Sequence, residues 1–61
     1  MTMVADLQTK VEKYESRASR CEEHARTARD KAEQGFYEGL AAYFANLATD
    51  FRKIMEKRSA A

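Results

Sequence analysis

Two heptad stripes constrain this 61-residue chain more than anything else in it. Val4, Leu7, Val11, Tyr14, Ala18, Cys21, Ala25 and Ala28 succeed one another at alternating steps of three and four. Tyr37, Leu40, Phe44, Leu47, Phe51 and Ile54 do the same in the second half. Such spacing lines residues up on one side of an α-helix, where they form a seam against a neighbouring helix. The sequence therefore predicts two amphipathic helices. The absence of Pro and the presence of only two Gly fit an all-α chain.

Length sets the next constraint. A chain of 61 residues buries little surface, and domains of this size usually lean on a disulfide, a metal or a partner. One cysteine cannot close an internal disulfide, and no Cys/His cluster has the spacing of a structural zinc site. Association is the remaining device. Eleven basic against ten acidic residues leave a net charge of +1, so no bulk field draws in nucleic acid or anionic lipid. The segment Met1–Asp6 lacks the basic leader and apolar run of a signal peptide. Phe36 to Ala48, interrupted by Glu38 and Asn46, is too short to span a bilayer. A cytoplasmic, reducing location with a free thiol and no membrane contact is expected.

Two positions compete for the turn. Gly35 suits the residue just past a helix end, but a turn there makes the first helix much the longer and strands Val4, Leu7 and Val11. Asp30 suits an N-cap, with Glu33 three residues on as in a capping box. It also places Arg26 and Arg29 near the negative end of the first helix. The Asp30 turn is favoured. It predicts one hairpin over residues 1–61, with helix 1 over about 3–28, a turn at about 29–30 and helix 2 over about 31–58. The stripes then pair along their length, with Cys21 near Tyr37, Ala18 near Leu40, Tyr14 near Phe44, Leu7 near Phe51 and Val4 near Ile54. Gly35 and Gly39 fall inside helix 2, where each costs about 1 kcal/mol against Ala and close approach by a neighbour is the expected compensation.

Ala18, Cys21, Ala25, Ala28 and Asp30, followed by the pairs Leu40-Ala41 and Leu47-Ala48, resemble a group of very short α-proteobacterial proteins abundant in rhizobia. Those carry a Cys, a run of small residues, an Asp-Pro turn and a repeated Leu-Ala pair. The resemblance spans about Tyr14 to Ile54. It departs at Lys31, where Pro is usual, and at Phe44, near a position often held by Trp. It implies a helical hairpin and no chemistry.

The second helix is apolar beyond its own seam. Phe36 and Tyr43 widen it on one flank; Ala41, Ala48 and Met55 widen it on the other. One narrow partner stripe cannot cover that width, and an uncovered apolar strip of several hundred Å² usually marks an interface. The expected fold is thus a two-helix antiparallel hairpin that dimerises into a four-helix bundle. The expected interface is Phe36, Leu40, Ala41, Tyr43, Phe44, Leu47, Ala48, Phe51 and Met55, with the two alanines letting backbones approach. A parallel coiled coil of the first helix, with Lys10–Glu15 and Arg17–Glu22 as interchain pairs, ranks second.

Chemistry is sparse. Cys21 and His24, three apart, could join their symmetry mates in a zinc site, with Glu23 beside them. Cys21 however occupies a seam position suited to a small hydrophobe, and His24 sits on a flank that is otherwise basic. No third residue orients a Cys–His nucleophile, and no inward Glu-x-x-His pair supports a di-iron centre. No enzyme activity and no cofactor are expected. Arg17, Arg20, Arg26, Arg29 and Lys31, with Arg52, Lys53, Lys57 and Arg58, raise nucleic-acid binding as the alternative, in the manner of a Rop-like dimer of hairpins. Glu12, Glu15, Glu22, Glu23, Glu33 and Glu56 are interleaved and argue against it, with Asp6–Lys10 and Glu22–Arg26 as expected surface pairs. The functional expectation is a homodimeric structural or interaction module, open to a further protein partner.

Overall fold

A computed structural model describes residues 3–60, with side chains from Ala5 to Ser59. Among these the chain is all-helical: α1 (Met3–Arg26) and α2 (Lys31–Ala60) pack antiparallel against each other. The hairpin measures 47 × 17 × 10 Å between Cα extremes, a plate one helix thick. Neither helix is long and apolar enough to cross a membrane among the described residues.

The turn occupies residues 27–30. Asp30 is the N-cap of α2: its Oδ1 accepts the Glu33 N–H at 2.8 Å and its carbonyl accepts the Gln34 N–H at 3.0 Å. A carboxylate there answers both an orphan amide and the positive end of the helix. α1 stops two residues earlier than the stripe suggests. Thr27 closes it, because its N–H reaches the Glu23 carbonyl at 3.2 Å and its hydroxyl donates to the same oxygen at 3.2 Å. The Ala28 N–H then donates to the Ala25 carbonyl, three residues back, at 3.3 Å, the narrower loop of a last 3₁₀ turn. Arg26 lies in the last turn of α1, whereas Arg29 belongs to the connection. Gly35 is interior to α2. A Cβ built on Gly35 or Gly39 meets nothing within 4 Å, so no neighbour within the chain uses the space they leave.

The α1 stripe faces α2 as its spacing implies. Leu7, Val11, Ala18, Cys21 and Ala25 are buried, Val11 completely, and Tyr14 is half-buried. The Tyr14 ring lies between two α2 rings, 5.9 Å from Phe44 and 5.7 Å from Phe51. The expected approach of Val4 to Ile54 lies outside the described side chains.

On α2 the seam is rotated from the expected register. It runs Tyr37, Ala41, Phe44, Ala48, Phe51, Met55, all buried or half-buried. Ala41 and Ala48 are only 7% and 3% exposed within the single chain. Both alanines, expected at a contact between copies, are covered by α1 within the single chain. The seam rings Phe44 and Phe51 also lie against Tyr14, and both remain half-buried. The physical reason for the rotated seam is space. Tyr14 is the largest side chain of the α1 stripe, and an Ala between Phe44 and Phe51 leaves room for its ring while the backbones stay close.

Candidate functional site: the two broad faces of the hairpin

Rotating the seam onto Ala41 and Ala48 leaves a second register of α2 uncovered. Phe36, Leu40, Tyr43, Leu47 and Ile54 repeat the four-three spacing one residue out of step, about 100° around the helix. Phe36 is 62% exposed, Tyr43 58% and Ile54 41%, while Leu40 and Leu47 are half-buried. The outer rings are held by edge-on contacts to inner ones: Phe36 against Tyr37 at 5.1 Å and 72°, Tyr43 against Phe44 at 5.6 Å and 61°. Large rings fixed in open water are unusual for an isolated soluble chain.

The flank of α1 beside this strip is basic. Lys10, Lys13, Arg17, Arg20 and His24 stand at helical spacing on one side of α1, all exposed. Three of them cap the seam in a ladder. The Lys10 ammonium lies 5.9 Å from the Phe51 ring centre, the Arg17 guanidinium 5.9 Å from Phe44, and His24 stacks on Tyr37 at 4.9 Å. Each step is seven residues forward in α1 and seven back in α2. The two cations and the imidazole ring cover ring faces at the edge of the core, each exposed cation contact worth about 0.5–1 kcal/mol. The ladder is readable in the sequence as a basic heptad facing an aromatic one, a pairing that reading each helix separately misses.

The opposite broad face has the opposite character. Glu15 pairs with Arg52 across the two helices there, and Glu12, held by Gln8 at 2.8 Å, and Glu22 continue the acidic flank of α1. An open groove of about 500 Å³ lies toward the turn on this side. Its floor is Ala25, Ala41, Ala42 and Ala45, and its rim includes Glu22 and Glu38. The glutamates that alternate with cations along the chain thus separate from them in space, since 10, 13, 17, 20, 24 and 12, 15, 22 fall on different sides of one helix. Arg26 bonds Glu23 three residues back rather than the expected Glu22.

Cys21 is a buried free thiol in the seam, while His24 lies flat on Tyr37 and Glu23 is engaged by Arg26. Among the described residues no group of three or more His, Cys, Asp or Glu is placed to hold a metal ion. The hairpin does not itself bring the sequence-level candidates Cys21 and His24 into a ligand set. No family model, no curated protein and no solved structure matches the chain.

Proposed function

We propose that the protein is a small structural and interaction module that works as an assembly of its own copies. Its smallest form is a homodimer of hairpins, a four-helix bundle without catalytic activity. The observation that supports this most is the outer strip of α2, with Phe36, Tyr43 and Ile54 solvated in the single chain. A 61-residue hairpin one helix thick has little core of its own, so burying that strip against another copy adds the apolar area the chain lacks. The free thiol and the capped, ion-paired surface fit a cytoplasmic module. Sedimentation equilibrium over a range of concentrations tests the reading. Mass and helicity should rise together with concentration.

A second reading is favoured by one specific observation. Lys10, Lys13, Arg17 and Arg20 have no carboxylate partner among the described ion pairs, and Lys13, Ser16, Arg17 and Arg20 line a shallow hollow of about 230 Å³. Such a stripe suits a phosphate backbone. Sub-micromolar binding to a structured RNA at physiological salt, weakening steeply as salt rises, would put nucleic acid ahead. Binding that is absent or indifferent to salt would remove it.

A further inference from the structure

The self-association reading leaves open which surface of a second copy meets the outer strip of α2, and the geometry of the two faces answers it. We propose that copies stack face to back. The basic, aromatic face of one hairpin seats on the acidic, alanine-lined face of the next, with Tyr43 and Phe36 entering the groove over Ala42 and Ala45. This rests on the self-association reading and adds its mode.

Charge carries the first part of the argument. A face-to-face pairing that sets α2 on α2 and α1 on α1 brings Lys10, Lys13, Arg17 and Arg20 of one copy toward the same residues of the other, and one that sets α2 on α1 lays those cations on the apolar strip, where Asp50 is the one carboxylate in step to meet them. Like charges brought together at an interface cost several kcal/mol. Face to back, that stripe lies instead over the flank holding Glu12, Glu15 and Glu22. Asp6 and Asp50 are the carboxylates nearest the basic face by helical position, and Arg26 and Arg52 are the cations on the acidic one. The latter two are already paired with Glu23 and Glu15. Lys31, seven residues before Glu38, adds a third cation to the acidic face, which still holds more carboxylates than cations: Glu12, Glu15, Glu22 and Glu38 against Arg26, Lys31 and Arg52.

Shape carries the second. The open groove of about 500 Å³ has four alanines in its lining, side chains too short to fill it, and the opposite face projects two rings that are 62% and 58% exposed. The two features lie at the same height along the plate, because Tyr43 sits between Ala42 and Ala45 in α2. Stacking without a lengthwise shift thus brings ring over recess and Arg17 and Arg20 level with Glu15 and Glu22. Area is sufficient as well: a face of 47 × 17 Å, about 800 Å², matches what one partner buries in a standard specific interface.

A face-to-back contact is heterologous, so each added copy presents a fresh face and growth does not stop at two. It also permits complementation, which a two-fold contact does not. A knob-less variant, Phe36→Ser with Tyr43→Ser, keeps its groove. A groove-filled variant, Ala45→Lys, keeps its rings; Ala45 is exposed, so the change leaves the hairpin seam alone. Each variant alone should remain near the 7.0 kDa chain mass, and an equimolar mixture should give a species of twice that mass that grows no further. If folding and association are one transition and either variant is unfolded alone, mixing should restore helicity together with mass. Wild type should exceed two copies as concentration rises.

Ala45→Lys that self-associates like wild type overturns face-to-back stacking, as does a mixture that stays monomeric or unfolded. A wild type that forms a closed dimer without complementation overturns the mode and spares the self-association. A wild type that is monomeric at every concentration removes both.

Discussion

α2 carries two apolar registers one residue apart, and they do different work. The inner one, Tyr37 to Met55, alternates rings with alanines and is closed by α1. The outer one, Phe36 to Ile54, has no small residue in step with its rings, and the single chain leaves its Phe36, Tyr43 and Ile54 in water. Both have heptad spacing and both contain aromatics, so hydrophobicity alone does not tell them apart. The difference is the alanines at 41 and 48, which let a second backbone come close while a ring from that helix fits between neighbours. The inner register is built for one narrow helix; the outer one is built to project.

The sharpest way to break this distinction is Ala48→Glu. At 3% exposure a Glu side chain must displace α1 or bury its charge, and with Arg52 already on Glu15 the cost is about 3–5 kcal/mol. That is comparable to the whole stability of a chain this size. Circular dichroism should show loss of helix that added protein restores poorly. A variant that keeps its helix and loses only association would return Ala48 to a contact between copies.

Val11 faces the inner register and is fully buried. Val11→Ala removes two methyl groups and opens a small cavity, for a loss of about 2 kcal/mol read in chemical denaturation. A loss below a few tenths would mean the seam between the helices is loose.

Tyr43→Ser probes the outer register. With 58% of the residue already exposed, intrinsic helix stability should change little, while self-association should weaken at least about tenfold, about 1.4 kcal/mol. Equal association of wild type and variant would detach the outer strip from assembly.

The smallest effects concern the frame that holds both registers. Asp30→Ala removes the acceptor of the Glu33 amide and should cost about 1 kcal/mol. Gly35→Ala should stabilise by up to about 1 kcal/mol, since its Cβ meets open space. A gain seen in dilute solution that vanishes in the assembled state would show a second copy lying against that glycine.

The hairpin itself was legible before any coordinates. Two heptads of similar length require antiparallel pairing, and Asp30 with Glu33 three residues on marks the turn better than Gly35 does, because α2 pairs fully with α1 only from there. The rotation of α2 was not legible. Apolar side chains cover well over a third of its circumference, so a seam through Leu40 and Leu47 and one through Ala41 and Ala48 fit the same sequence. The Tyr14 ring between Phe44 and Phe51 sits better with the small Ala48 in the seam than with Leu47, a packing demand that periodicity does not report. The charge contrast between the flanks of α1 was legible, since His24 already falls on a flank that is otherwise basic. Read along the chain, Lys10, Glu12, Lys13, Glu15 and Arg17 alternate in sign; read around the helix, they separate. The tighter end of α1 depended on the Thr27 hydroxyl, a local hydrogen bond that periodicity does not report.

The measurement that bears most directly on the account is the mass of the wild-type chain in solution as a function of concentration, followed alongside its helicity. An average mass of at least twice 7.0 kDa at working concentrations, falling on dilution together with helix content, is the predicted result. A stable helical monomer whose mass does not change with concentration would contradict it, because the rings of Phe36 and Tyr43 would then stand in water by themselves.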